Sequence, residues 1–533
     1  MASRTRTKVI PLSLGYATDL SPQQRELSYM TKAENVIYEI SRAVHKAGGG
    51  TRLNSTALDS GSPVLGQFDY WKAGASGSFA QVYVVTTNSG KVFCEEDPGG
   101  SAGSFTDRTG AVSIGTGAIP NFVQAKDTLV IFFSDASAPI TYNNTGNAAA
   151  LGGSPPAGRC GCWHKNRLWI GGSNANPSRL AYSAYGTIAT WTGQDTGAID
   201  VDSEDGDRIV GLASHKNSLI VFKGPNKGSI HVISGDAPEG ANGFKRDLLV
   251  TGIPLQTPNS LVSIGDDLWF MSERGIHSVA ATAAYGNFEQ KIVTKYLFGE
   301  FRDNINRTRL ANVWGINYPP KAFAAWTLAA SGSSTNSRFL GLSYINLEEG
   351  LKPFIWTMAT IMSAGIRIHP TTKLRELILA DNSGFLVRMD QTDRIMPAST
   401  AYTGRLTTPA IVMGDADVAG QPRVDQMVTL QRMWLRRAAT GAGDITIAVS
   451  RDTDAPETYT FAQGNAGFLL GTSLLGTDSL GGQALFSSAV DLLGECRTAI
   501  FDITQGGASQ DMNLYELGVE YLPSSELQGA ARP

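Results

Sequence analysis

Charge is scarce in this chain. Asp, Glu, Lys and Arg make up 17 % of its 533 residues, and the net charge is −4. A dedicated nucleic-acid grip needs a concentrated basic face, so that class is disfavoured, although nucleic acid passing by without being held is not excluded. Cysteine is scarcer still: Cys94, Cys160, Cys162 and Cys496 are too few for a disulfide framework and suit assembly in a reducing cytoplasm. No stretch approaches the ~20 apolar residues of a membrane span, so an integral membrane protein is not expected. Arg4, Arg6 and Lys8 are not followed by an apolar segment, so no secretory signal is expected. Long helical periodicity is nearly absent. The best helix candidate is 32–46, where Val36, Ile40 and Val44 fall at four-residue steps, although Val36-Ile37-Tyr38 favours strand.

What the chain does have is glycine, 59 of it, and one recurring phrase. The copies are VQAKDTLVIFF from Val123, WHKNRLWIGG from Trp163, ASHKNSLIVFKG from Ala213 and VSIGDDLWFMSE from Val262. Each has a short polar turn, then a leucine (Leu129, Leu168, Leu219, Leu268), then a β-rich run. Asn and Asp tolerate left-handed backbone, so such a turn between two apolar runs predicts a hairpin. A hairpin unit recurring at roughly 40–50 residues is the signature of a β-propeller.

The expected fold is therefore all-β. Residues 1–65 read as an N-terminal arm, with Gly48-Gly49-Gly50 as a turn or hinge. Residues 66–400 read as a propeller of about six blades, with five or seven as alternatives. From 401 the phrase disappears, and long alternating strands over 401–533 predict a β-sandwich platform that the arm completes. Within it, 467–486 is rich in Gly, Leu and Ser. Two readings stand for this apolar loop: docking on another subunit, or a hairpin folded on its own sandwich.

Candidate chemistry is sparse. Cys160, Cys162 and His164 alternate along a strand and so share a face, but a closed zinc site needs a fourth ligand, and buried structural cysteines explain them as well. Asp200, Asp202, Glu204 and Asp205 form an acidic loop that fails the EF-hand pattern. A different divalent-cation loop, or a solvated turn, remains for it. None of the six histidines sits in a nucleophile-elbow or H-E-x-x-H context, and no phosphate-binding P-loop appears. His231 and His277 occupy matching repeat positions, which points to a shared structural role. No catalytic residue, no cofactor and no enzyme activity are expected.

The order of parts carries a resemblance. The segments NVIYE with GGGTRLN, RLWIGGSNANPSRLAYSAYG and DGDRIVGLASHKNSLIVF resemble those of the tail nozzle (tail tubular protein B-like) family of short-tailed bacteriophages, with Arg52-Leu53 where the family has Arg-Pro. The resemblance implies a virion protein assembled in the host cytoplasm. It implies a homo-oligomeric ring, a hexamer, at the distal end of the tail. Its partners would be adaptor (head-to-tail connector) proteins and tail fibres or spikes, near the host envelope. Genomic DNA would pass without specific binding. A ring needs head-to-tail interfaces that close by rotation. Gly48, Gly49, Gly50 and Arg52 in the arm, and Leu469, Leu470, Leu474, Leu475 and Leu480 in the apolar loop, are the expected interface residues. Two alternatives remain: a carbohydrate-active, sialidase-like or glycan-degrading propeller, and a non-catalytic receptor-binding propeller.

Overall fold

A computed structural model describes residues 5–20, 29–74, 79–96, 102–240, 242–279, 291–346, 348, 350–414, 426–438, 443–452, 454–462 and 485–523. In each copy of the phrase, the run before the turn is the first strand of a four-stranded antiparallel sheet, and the leucine-led run is the second. The pairs are Pro120–Ala125 with Thr128–Phe133, Cys160–His164 with Arg167–Gly171, Arg208–His215 with Ser218–Gly224, and Val262–Ile264 with Asp267–Ser272. The left-handed residue is the first of each turn: Lys126 (φ 54°), Lys165 (48°), Lys216 (52°) and Gly265 (57°). Of the second turn residues only Asn166 is also left-handed, at φ 57°. Lysine thus carries the conformation expected of Asn and Asp. The twist of the paired strands selects the turn, and that pairing overrides the side-chain preference.

Seven such sheets follow one another. Their first strands are Val64–Ala73, Pro120–Ala125, Cys160–His164, Arg208–His215, Val262–Ile264, Gly315–Tyr318 and Ser363–Ile368. These first strands neighbour one another in sequence order, and the seventh lies beside the first: Ser363 Oγ donates to Val64 O at 3.0 Å, and Ile368 N to Asp69 Oδ2 at 2.9 Å. The ring is closed, so the fold is a seven-bladed propeller, one blade more than the count of about six. Seven is one of the two alternatives to six, and the count is blurred because 363–391 supplies only three strands. Its fourth is Gly49–Arg52, from the arm, paired with Leu386–Gln391.

Second strands are buried on both faces by the neighbouring blades. Thr128–Phe133, Arg167–Gly171 and Phe323–Ala329 are buried along almost their whole length. That is why the phrase reads as an apolar run rather than an alternation. Leu129, Leu168 and Leu219 are fully buried in the cores between blades, and Leu268 nearly so.

The arm is β, not helix. Lys32–Glu34, Val36–Tyr38 and Val44–Lys46 are three short strands. Val36 and Val44 are buried, but Ile40, which completed the helical stripe, is 73 % exposed in the turn between them. β-branched Val36 and Ile37 fit a pleated surface, and the strands complete sheets that the C-terminal region leaves short.

One platform sheet holds Asn513–Pro523 between Val428–Ala438 on one side and, on the other, both Arg6–Pro11 and Val44–Lys46. The second contains Lys32–Glu34, Gly404–Thr407, Thr498–Gln505, Ile445–Arg451 and Glu457–Phe461. Alternate residues of Ile445–Arg451 and Thr498–Gln505 are buried, the mark of a sheet packed on one face. The apolar core runs without a break from this sandwich into the fifth and sixth blades, through Phe354 and Trp326. Trp356 of the sixth blade donates Nε1–H to Val36 O at 2.9 Å. Among the described residues, no helix is long and apolar enough to cross a membrane.

Candidate functional site

The axis of the propeller is obstructed. The segment leading into the fifth blade makes a short 3-10 turn, Pro258–Ser260, capped by Thr257. Asn259 donates Nδ2–H to Pro120 O of the second blade at 2.8 Å, three blades away in a ring of seven. Trp326 of the sixth blade donates Nε1–H to Ser260 O at 2.9 Å. This turn therefore crosses the axis. On one side lies a cavity of about 350 Å³ lined by Phe68, Phe122, Trp314, Asp69 and Asn121. On the other, where the first strands begin, lies a pocket of about 60 Å³ containing Arg159 and Arg208.

The acidic loop holds an internal cation. The Lys223 ammonium, fully buried, donates to Val201 O (2.7 Å), Asp202 O (2.5 Å) and Asp205 Oδ1 (2.6 Å). Asp200 pairs with Arg179 at 3.0 Å, and Asp202 with Arg246 at 2.7 Å. Glu204 is exposed. Two carbonyls and a carboxylate converging on one point are the ligands a hard cation would take, and here an ammonium takes them. Lys223 lies in the LIVFKG run, where sequence reasoning saw only blade core.

Cys160 and Cys162 pack against Trp169, Leu180 and Leu219, and burial pushes both thiols up to about 12. A metal ligand must be a thiolate, so this environment opposes ligation. His164 bonds Ser214 Oγ at 2.8 Å through Nδ1. No cluster of three metal-binding side chains occurs among the described residues. His231 and His277 each bond a neighbouring serine through Nε2: Ser229 at 3.0 Å and Ser272 at 2.7 Å.

Gly48, Gly49 and Gly50 are buried, the last two inside the strand Gly49–Arg52, rather than a hinge. A Cβ on Gly49 would lie 2.3 Å from Ile395 O, and one on Gly48 2.4 Å from Asp390 Cα. These glycines are used inside the chain, where arm meets seventh blade. Arg52 is exposed, its guanidinium 3.7 Å from the centre of the Phe385 ring. Leu469, Leu470, Leu474, Leu475 and Leu480 lie outside the described residues.

A further cleft of about 500 Å³ separates the fifth blade from the arm and is lined by Tyr16, Tyr29, Trp269, Tyr296 and Asp267. Tyr29 and Tyr296 have ring centres 5.4 Å apart. Asp267 accepts from Ser278 Oγ (2.6 Å) and Trp269 Nε1 (2.8 Å).

No family model matches the sequence, and no curated protein is similar to it. Among solved structures, the chain is similar to the WD40 repeats of RRP9, at 8 % identity and TM-score 0.38, over 65 % of this chain and 99 % of that one. It is also similar to an exo-beta-1,3-galactanase from Phanerochaete chrysosporium, at 11 % identity and TM-score 0.29, over 89 % and 100 %. A third is the extracellular domain of the putative one component system BT4673 from B. thetaiotaomicron, at 11 % identity and TM-score 0.37, over 78 % and 48 %. These likenesses carry no argument about activity; the blade count rests on the strand pairing.

Proposed function

We propose that this chain is a structural subunit of the tail nozzle of a short-tailed bacteriophage, built into the virion as a ring of identical copies, a hexamer. The observation that carries the reading is how the ends of the described chain are used. Arg6–Pro11 and Asn513–Pro523 pair in one sandwich, and the whole propeller is inserted between them. Such a chain presents one compact platform for ring contacts and one large outgrowth. The turn at Pro258–Ser260 across the propeller axis supports a conduit between copies rather than through a propeller. A low-charge chain suits that role, since a basic lumen would retain phosphates through counterion release. The ring would meet adaptor proteins on one side and fibres or spikes around it. It would be assembled in the host cytoplasm and would act without catalysis.

The test is cryo-electron microscopy of particles that contain the protein, with mass photometry of the purified chain. A six-fold ring at the tail tip is the expected result. A protein that stays monomeric and never joins a particle would sink the reading.

The aromatic cleft beside Trp269 favours a second reading, carbohydrate recognition. Among the described residues its lining holds one carboxylate, Asp267, whereas glycoside hydrolysis commonly uses two. Hydrolysis of host glycans by the purified protein would promote that reading over the structural one. Loss of adsorption from particles that still assemble without the propeller would favour receptor binding.

A further inference from the structure

The third and fourth blades bring two arginines together at the mouth of the propeller axis. Arg159 stands just before the first strand of the third blade, and Arg208 begins that of the fourth. In the other five blades the first strand begins at Val64, Pro120, Val262, Gly315 or Ser363, preceded by Pro63, Ile119, Leu261, Trp314 or Met362, so no other blade places a basic residue there. Arg159 is held rigidly: Nε donates to Ser134 O (2.8 Å), one terminal nitrogen to Gly172 O (2.8 Å) and the other to Asn174 Oδ1 (2.7 Å). Arg208 is exposed. Among the described residues, neither guanidinium forms an ion pair. The adjacent carboxylate, Asp207, is occupied elsewhere by the amides of Asn226, Lys227 and Gly228 at 2.7–2.9 Å. Asp135 also acts on Arg159, but more weakly than the neighbouring Arg208 charge does.

We propose that this mouth binds a single phosphoryl group, as inorganic phosphate or a sugar phosphate. Two like charges lining one pocket, neither of them in an ion pair, create a local positive potential, and guanidinium forks match tetrahedral oxyanions. The pocket of about 60 Å³ exceeds the roughly 10–15 Å³ of such cavity space that one water needs, room for one small oxyanion. Gln256 and Thr257, also in its lining, add polar groups. The site lies on the propeller axis within each copy and stands independently of the nozzle reading.

The experiment is isothermal titration of the full chain at fixed ionic strength balanced with chloride. One arm uses inorganic phosphate and the other glucose 6-phosphate. Saturable binding of either, one per chain, is expected. The Arg208→Ala variant, checked for native circular dichroism, should bind roughly ten- to a hundredfold more weakly, with Arg208→Lys between. Preference for glucose 6-phosphate identifies a sugar phosphate as the ligand, and equal binding a free anion; both support the site. No saturable binding of either compound, or undiminished binding by Arg208→Ala, overturns it.

Discussion

Arg367 of the seventh blade and Glu95 of the first form an ion pair at 3.0 Å with both side chains buried. It lies on the seam where the ring closes. Arg367 also pairs with Glu376 at 3.0 Å, and Glu95 accepts the Gly103 amide at 2.6 Å. Burial outweighs the guanidinium, so the Glu95 carboxyl sits above its ordinary range. The pair therefore fixes which edges meet more than it adds stability.

The seam makes a graded prediction. Glu95→Ala leaves Arg367 with one partner fewer in a dry site and should cost about 3–5 kcal/mol. Glu95→Gln keeps an acceptor for the Gly103 amide and buries no charge, so it should cost clearly less. Urea unfolding of both variants checks the order; equal losses would remove the role given to the charge.

Arm closure predicts a second outcome. Gly49→Val forces a Cβ onto the Ile395 carbonyl, and backbone does not yield as a side chain would. A loss of more than ~2 kcal/mol is expected, together with faster hydrogen exchange in Leu386–Gln391. Arg52→Ala, at an exposed ring contact, should cost no more than about 1 kcal/mol. Similar exchange in both variants would contradict the closure.

The acidic loop predicts indifference to divalent cations. Calcium or EDTA should leave the melting temperature of the native chain unchanged, because Lys223 occupies the converging oxygens. Lys223→Met strips three acceptors of their donor and should cost about 3–5 kcal/mol. A calcium-dependent rise in melting temperature of the native chain would refute the assignment.

Acid should loosen the middle blades. Burial lowers His164 and His277 from 6.5 to about 4, so both are neutral in the fold. Between pH 6.5 and 4 the unfolded chain takes up protons that the folded chain refuses. Stability therefore falls as pH drops through that window and is insensitive to these groups above it. Each contributes up to about 3 kcal/mol. Unfolding free energies of His277→Gln should show a shallower slope over the window than native protein; parallel slopes would assign the acid sensitivity elsewhere.

The nature of the blades was legible because it is local. Leu129, Leu168, Leu219 and Leu268 follow two-residue turns and open buried runs, a pattern that short-range chemistry and double-sided burial both write into the sequence. The blade count was legible only as five to seven, because the strand completing the seventh blade lies more than 300 residues before its partner. The axial pocket was not legible, since Arg159 and Arg208 are 49 residues apart and only the ring brings them to one pocket.

By itself, then, the sequence determined hairpins, their repeat, and a platform of alternating strands, all properties of neighbours along the chain. Tertiary structure alone decided where Gly48–Gly50 packs, what Lys223 neutralises and how Arg367 meets Glu95. Those outcomes depend on closing long loops, and composition does not record which distant edges pair.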